Sequence, residues 1–322
     1  MAKSIVESGM QEEKRVSIII NPKAGTGNRK EAVESSILRL RENGWTILSK
    51  VVSRSATHVT DLAAEAGKES VNGPVLIAVF GGDGTLNLAA RGAINTEAIV
   101  CHVPIGTVNV WGRETRTPRN DPVKAISSLT QGQIVKVDTG IINQQPFLLV
   151  AGVGLDADVF AKVERLKKQR VRSKLPYYAQ EAIKDIFTYR GCHAQVHYGD
   201  TIEEMEIIQA WFGNAKRLAY ITLRPEAICD DKRIEATIFS GRIGYDVVRA
   251  GIPALMQRRD NPNAVRYLQG KKFQLDFDGE VPIEYDGESG PVPTDHIEVG
   301  IHPLSLNILV PQITRKVTIF SS

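Results

Sequence analysis

Five residues, Gly81-Gly82-Asp83-Gly84-Thr85, stand between an unbroken apolar run, Val75–Phe80, and a helix-forming stretch, Leu86–Ile94. A short apolar run bounded by turn residues reads as a strand buried on both faces. Glycines at the end of such a strand let backbone N–H groups come close to a ligand, and the start of the following helix attracts anions. An aspartate inside the turn suits a nearby magnesium ion or a protonated hydroxyl better than phosphate alone. A tight turn without a ligand is the competing reading. The turn is not a GxxxxGK[ST] loop, and Gly25-Thr26-Gly27 lacks the third glycine of GxGxxG.

The same order of strand, turn and helix recurs on either side of it. Val16–Ile20 ends in Asn21-Pro22, Lys30–Arg41 carries Val33, Ile37 and Leu40 at helical spacing, and Asn43-Gly44 closes it. Trp45–Val52 predicts a strand, Thr57–Ala66 a helix, and Ile99–Ile105 a strand that runs into Gly106-Thr107. From about Ile134 the runs become short and often alternating: Ile134–Ile142, Phe147–Gly152, Ala194–Tyr198, Glu204–Phe212, Arg233–Phe239, Lys272–Phe277 and Ile297–Ile301. One helix, Leu175–Tyr189, interrupts them. The predicted fold class is an α/β domain with a parallel sheet plus a second antiparallel β-sandwich domain. The expected division is a flexible tail over 1–14, the α/β domain over 15–135 and the sandwich over 136–310. Ser305–Val310 and Arg315–Phe320 also read as strands, with 311–322 returning to the first domain.

Composition narrows the function. Of 322 residues 42% are hydrophobic and 24% charged, ordinary for globular domains, and the formal charge of +3 is too mild to indicate nucleic-acid binding. No apolar run approaches the ~20 residues of a spanning helix. Glu7, Glu12 and Glu13 without a long apolar segment argue against a secretory signal. Cys101, Cys192 and Cys229 are widely spaced, which fits a reducing compartment and a cytoplasmic protein. His193 and His197 share a face, but no third ligand lies near them for zinc. Arg165–Lys174 holds six basic residues and no acid, either a solvated face or a docking surface for anionic headgroups.

Gly81–Asn87, GGDGTLN, resembles the signature of the superfamily of diacylglycerol, sphingosine and NAD kinases. Asn21–Gly25 is similar to the NPxxG turn of the lipid kinases, and Pro104–Asn109 to their P-x-G-T-x-N segment. Val137–Gly140 with Phe147–Asp156, Pro225-Glu226-Ala227 with Asp230-Asp231, and Asp286-Gly287-Glu288 resemble later family segments in the same order. The resemblance, to bacterial-type lipid kinases in particular, implies an α/β nucleotide-binding domain and a β-sandwich domain enclosing a cleft. It implies ATP against Asn21, Pro22, Lys23, Ala24, Gly25, Ser53, Gly81, Gly82, Asp83, Gly84, Thr85, Leu86, Asn87, Gly106, Thr107 and Asn109. It implies magnesium at Ile228, Asp231 and Arg233, the first and last through backbone carbonyls. Glu288 falls at the general base, with Asp286 beside it.

Phosphoryl transfer depends on positioning and on neutralising the γ-phosphate oxygens, and an acceptor hydroxyl needs a carboxylate to take its proton. Glu288 and Asp83 are the candidate bases, and Glu288 is preferred, with Asp83 organising magnesium and phosphates. The implied acceptor is a membrane lipid, reached from the cytoplasm at the inner face of the membrane, with a homodimer as the expected assembly. Leu88, Val110 and Lys232 depart from the family pattern, which has glutamate, aspartate and glycine there. A nucleotide or lipid sensor on the same fold and an NAD-kinase-like enzyme are the alternative readings.

Overall fold

The structure is a computed structural model describing residues 3–4, 13–24, 30–168, 184, 187–218, 221–251, 264–290, 292–312 and 319–320. Gly25, most of the expected helix Leu175–Tyr189, the side chains of Arg165–Lys174 and most of Arg315–Phe320 lie outside the described residues. Arg15–Ile20 runs parallel to Thr46–Val52 on one side and Val75–Gly81 on the other, and Ile99–Pro104 continues the parallel sheet. Val75–Gly81 and Ile99–Pro104 are buried at every position. Their side chains alternate between two cores. Val75, Ile77 and Val79 meet the helices Ala56–Glu69 and Asp83–Ala93, whereas Leu76, Ala78 and Phe80 meet Lys30–Glu42 and Pro122–Thr130.

Local chemistry explains where these helices begin. Ser55 caps Ala56–Glu69 by accepting the His58 N–H at 3.2 Å. Asp121 caps Pro122–Thr130 through the Lys124 N–H at 3.0 Å, with proline at the first helical position. That cap-and-proline pair is a readable helix start that the strand-and-turn pattern passed over. The glycine-rich segment also differs from expectation. The helix begins at Asp83, three residues before Leu86, with Gly82 as its extended N-cap.

In the second half Val150–Gly154, Thr201–Gly213, Cys192–Tyr198 and Lys272–Val281 pair antiparallel in that order. Ile283–Tyr285 and Glu288–Ser289 extend the outer side of Val150–Gly154, and Ile234–Ser240 and Val265–Gly270 continue from Thr201–Gly213. Phe147, Phe212, Phe273 and Phe277 belong to the core these strands enclose. The fold class is as expected: a parallel sheet with helices, then an antiparallel β-rich part.

The joint between the halves is a strand that the pattern had read as two. Thr294–Val310 is 17 residues long. Its first part pairs antiparallel with Lys272–Val281, its last part lies parallel to Ile99–Pro104, and Gln133–Ile142 accompanies it on another edge. At the irregularity between His302 and Leu306, Leu304 takes a left-handed backbone (φ 48°) and its N–H is held by Asp138 Oδ1 at 2.7 Å. The expected boundary at 135/136 falls inside Gln133–Ile142. Lys3–Ser4, expected in a loose tail, pairs with Ile134 and Gln133. Near the C-terminus, Ile319 O accepts from the Cys229 N–H at 2.7 Å, and the Phe320 ring meets Trp111 edge-on, 6.4 Å between centroids. Among the described residues no helix is both long and apolar enough to cross a membrane.

A shared ladder predicts shared unfolding. Phe273 is fully buried and packs against the Tyr198 and Phe212 rings. Phe273→Ala is expected to cost ~3–5 kcal/mol. Denaturant unfolding followed at Trp45 and Trp111 of the first half and at Trp211 of the second is expected to show one common midpoint, lowered in the variant.

Candidate active site

The site lies where the chain reverses its winding. Asn21 follows the strand Arg15–Ile20, and the helix beyond it, Lys30–Glu42, covers one face of the sheet. Gly82 follows the neighbouring strand Val75–Gly81, and its helix, Asp83–Ala93, covers the other face. Two adjacent parallel strands whose connections leave in opposite directions open a crevice at their carboxyl ends. The turns are fastened to each other. Asn21 N–H donates to Phe80 O at 2.9 Å, and Asn21 Nδ2 donates to Thr85 Oγ1 at 2.8 Å. Ser53 enters the same edge, its N–H on Ile20 O at 2.8 Å. Pro22, Lys23 and Thr107 are exposed there.

The third turn is held just as closely. A Cβ on Gly106 would lie 2.5 Å from the Gly82 Cα, so the two turns touch backbone to backbone and only glycine fits. Asn109, in a left-handed backbone (φ 52°), closes this turn by accepting from Gly106 N–H at 3.1 Å and donating to Gly106 O at 2.8 Å. Both Asp83 oxygens are committed to this loop: Oδ2 accepts the Val110 N–H at 2.8 Å and Oδ1 the Trp111 N–H at 3.1 Å. Gly82 O takes the N–H groups of Thr85 and Leu86 at 3.0 Å each, leaving the earlier amides as those the helix cannot satisfy internally. Behind the turn His102 is buried, Nε2 3.2 Å from Gly81 O, and burial lowers its pKa toward the neutral ring despite the nearby Asp83 charge. Leu86 and Asn87 are also buried.

Asp286 and Glu288, at the second turn, are not equivalent. Asp286 has a left-handed backbone (φ 52°), and its carboxylate accepts three N–H groups: Leu148 at 2.7 Å, Leu149 at 2.9 Å and Val150 at 3.0 Å. Burial raises its pKa to about 6, against the lowering influence of those amides and of Arg91. Glu288 Oε2 instead meets Arg91 Nη1 at 3.1 Å. Arg91 also donates through Nε to Pro146 O at 3.1 Å, and its guanidinium lies 4.7 Å over the Tyr285 ring. Arg91 sits on the helix that begins at Asp83, about 12 Å along it at the usual rise per residue. Sequence reasoning missed Arg91, because the contact joins positions 197 residues apart.

The third sequence-predicted group, Ile228, Asp231 and Arg233, occupies a separate turn. Asp231 Oδ1 accepts the Arg233 N–H at 3.0 Å. Lys232, at the place of the family glycine, is left-handed (φ 64°), and its N–H is held by Asp138 Oδ2 at 2.6 Å. Burial raises the pKa of Asp138 and of Asp231, and the neighbouring Asp230 charge raises both further. Crowded carboxylates and turn carbonyls are the donors a hard cation takes. Among the described residues no three His, Cys, Asp or Glu side chains are arranged to hold a metal ion by themselves. Asp138, which joins this turn to the strand Thr294–Val310, was recognised only as part of a motif.

Two variants test this scaffold. Asp83→Ala leaves the Val110 and Trp111 amides without their acceptor and is expected to cost ~1–3 kcal/mol in chemical unfolding. Lys232→Gly removes the Cβ penalty of a left-handed residue and is expected to stabilise the fold by up to ~1 kcal/mol, net of the added chain entropy.

Residues 15–142 match the family model for the diacylglycerol kinase catalytic domain. The diacylglycerol kinase of Bacillus subtilis is 22% identical over 311 residues, covering 93% of this chain and 97% of that protein. The diacylglycerol kinase of Staphylococcus carnosus is 24% identical over 297 residues, covering 90% of this chain and 94% of that protein. In fold, the chain is similar to the crystal structure of a diacylglycerol kinase from Bacillus anthracis, with a TM-score of 0.70, 19% identity and coverage of 96% and 100% of the two chains. Residues 15–142 thus match the diacylglycerol kinase catalytic domain, and nearly the whole chain is similar to bacterial diacylglycerol kinases.

Proposed function

We propose that this lipid kinase transfers the γ-phosphate of ATP, with magnesium, to the hydroxyl of a diacylglycerol-like lipid. The observation that carries the reading is the ion pair between Arg91 and Glu288. It puts the acidic turn of the second half on the very helix that starts at the glycine turn of the first. A nucleotide whose phosphates rest on the Gly81–Thr85 and Asn21–Ala24 turns can then extend toward Glu288.

Each residue has a distinct part in this reading. The amides of the glycine turn and Lys23 bind the phosphates, and Thr85, Ser53 and Thr107 add hydroxyl donors. Asp83 is a positioning residue, since both oxygens already hold the loop Asn109–Trp111. Asp286 likewise anchors its turn to Leu148–Val150, which leaves Glu288 as the carboxylate able to take the acceptor hydroxyl proton. Arg91 holds Glu288 in place and can release it as substrate enters. A magnesium ion at the Asp231 turn would be held by the Asp231 carboxylate and the carbonyls of Ile228 and Arg233, in a neighbourhood already over-supplied with negative charge. Magnesium with the nucleotide supplies charge neutralisation at the phosphates. The acceptor is a bilayer lipid, and the basic stretch Arg165–Lys174 supports approach to anionic headgroups from the cytoplasmic side.

Glu288→Gln is expected to leave ATP binding unchanged and to lower turnover by ~100-fold or more, measured with labelled ATP, magnesium and diacylglycerol micelles. Full activity in that variant would remove Glu288 as the base. Parallel tubes separate the alternatives: label on NAD identifies an NAD-kinase-like enzyme, and ATP binding with label on neither acceptor identifies a sensor.

A further inference from the structure

Behind the Glu288 turn are two buried carboxyl groups that the proposed reaction does not use. Glu284 is 1% exposed, and its Oε2 accepts the Gly287 N–H at 2.9 Å. Its other oxygen, Oε1, meets no donor among the described residues. Asp156, in the first turn of the helix Leu155–Lys168, accepts from Trp211 Nε1 through Oδ2, and its Oδ1 also meets no donor among those residues. Both carboxyls crowd Gly152. A Cβ built there would lie 2.7 Å from Glu284 Oε1 and 2.8 Å from Asp156 Oδ1, so the two donorless oxygens converge on one spot that only glycine leaves open.

Two ionised carboxylates facing each other without a donor repel strongly away from water, and a single proton turns that repulsion into an O–H···O hydrogen bond. Among the described residues nothing substitutes for the proton. From Thr201–Gly213 the neutral groups Gln209 and Trp211 reach Asp156. On the helix, Asp158 and Lys162 pair with each other at 2.6 Å. Within the turn, Asp286 adds negative charge. Across the site, Arg91 is engaged with Glu288. Burial first, then the Asp156 charge, pushes the Glu284 pKa well up, and burial lifts Asp156 to about 6.

We propose that Glu284 and Asp156 share one proton, and that this neutralised pair braces the turn that presents Glu288, making Glu284 a positioning residue. The path is short. Glu284 fixes the Gly287 N–H, and Tyr285, next along the strand, pairs in register with Glu288. The part about Glu288 rests on the lipid-kinase reading; the shared proton does not.

The sign of the pH dependence follows from the raised folded-state values. Stability contributed by the pair is fully present below the ordinary carboxyl range and is lost as pH rises through the folded-state values. Glu284→Gln supplies a permanent neutral donor to Asp156 and keeps an acceptor for Gly287. Between about pH 5 and pH 9 the melting temperature of wild type is expected to fall relative to Glu284→Gln, the gap widening by roughly 3 °C. Asp156→Asn, which removes the like charge from the other side, is expected to do the same. In the lipid-kinase assay Glu284→Gln is expected to carry the alkaline limb of kcat to higher pH. Glu284→Leu, which cannot accept the Gly287 N–H, is expected to lower kcat about tenfold with KM for ATP unchanged. Melting curves of wild type and both neutral variants that run parallel across the range overturn the shared proton, whatever the activity. A widening gap with no transfer to lipid upholds the proton and sinks the lipid-kinase reading alone. A widening gap in an active kinase whose alkaline limb is the same in Glu284→Gln overturns the positioning role.

Discussion

Carboxylates wholly or partly withdrawn from water accept backbone N–H groups and hold the loops of the candidate site in place. Asp83 holds two amides after Asn109, Asp286 three amides over Leu148–Val150, and Asp138 the amides of Lys232 and Leu304. Hydrogen bonds to an ionised acceptor contribute more than neutral ones, about 1.5–3 kcal/mol each, and they offset part of the cost of taking the charge out of water. Each joins segments far apart in the chain. Without them the turns would be ordinary exposed loops, and the crevice would have no defined wall.

The placement of the crevice follows from the winding of the sheet. The reversal beside Arg15–Ile20 puts the Asn21 and Gly82 turns side by side at the carboxyl ends of neighbouring strands. The strand Thr294–Val310 then carries the second half into the same hydrogen-bonded ladder, so its acidic turn is held rigidly relative to the glycine turn. Arg91 closes the remaining gap by touching Glu288, Pro146 and Tyr285 at once. In this arrangement the acids of a kinase motif divide their work. Most of them hold backbone amides, whereas Glu288 meets the Arg91 guanidinium instead.

Much of the first half was readable from the chain because its signals are local. Val75–Phe80 is apolar throughout since both faces are covered, and Val33, Ile37 and Leu40 recur at the spacing of one helix face. The glycine turns could be found for the same reason: a close backbone approach demands residues without a side chain. The helix start at Asp83 was displaced from the expected Leu86, because residues that look like turn chemistry, Gly82 as N-cap and Asp83 as first helical residue, also begin a helix. Pro122–Thr130 was passed over despite its Asp-Pro start. In the second half strand order was illegible. Alternation tells which face of a strand is buried, and it says nothing about which strand lies alongside.

By itself the sequence determined most strands and helices of the first half, the two textures of the chain and the residue types crowded at the turns, because each depends on neighbours a few positions away. Tertiary structure decided what the charged residues do. The commitment of Asp83 and Asp286 to amides, the left-handed Lys232 held by Asp138, the union of Ile297–Ile301 and Ser305–Val310 in one strand, and the meeting of Glu284 with Asp156 all depend on partners that only folding brings near. A carboxylate reads the same along the chain whether it will bind a proton, an amide or a guanidinium. Only the dielectric and the donors around it in the folded state distinguish these outcomes.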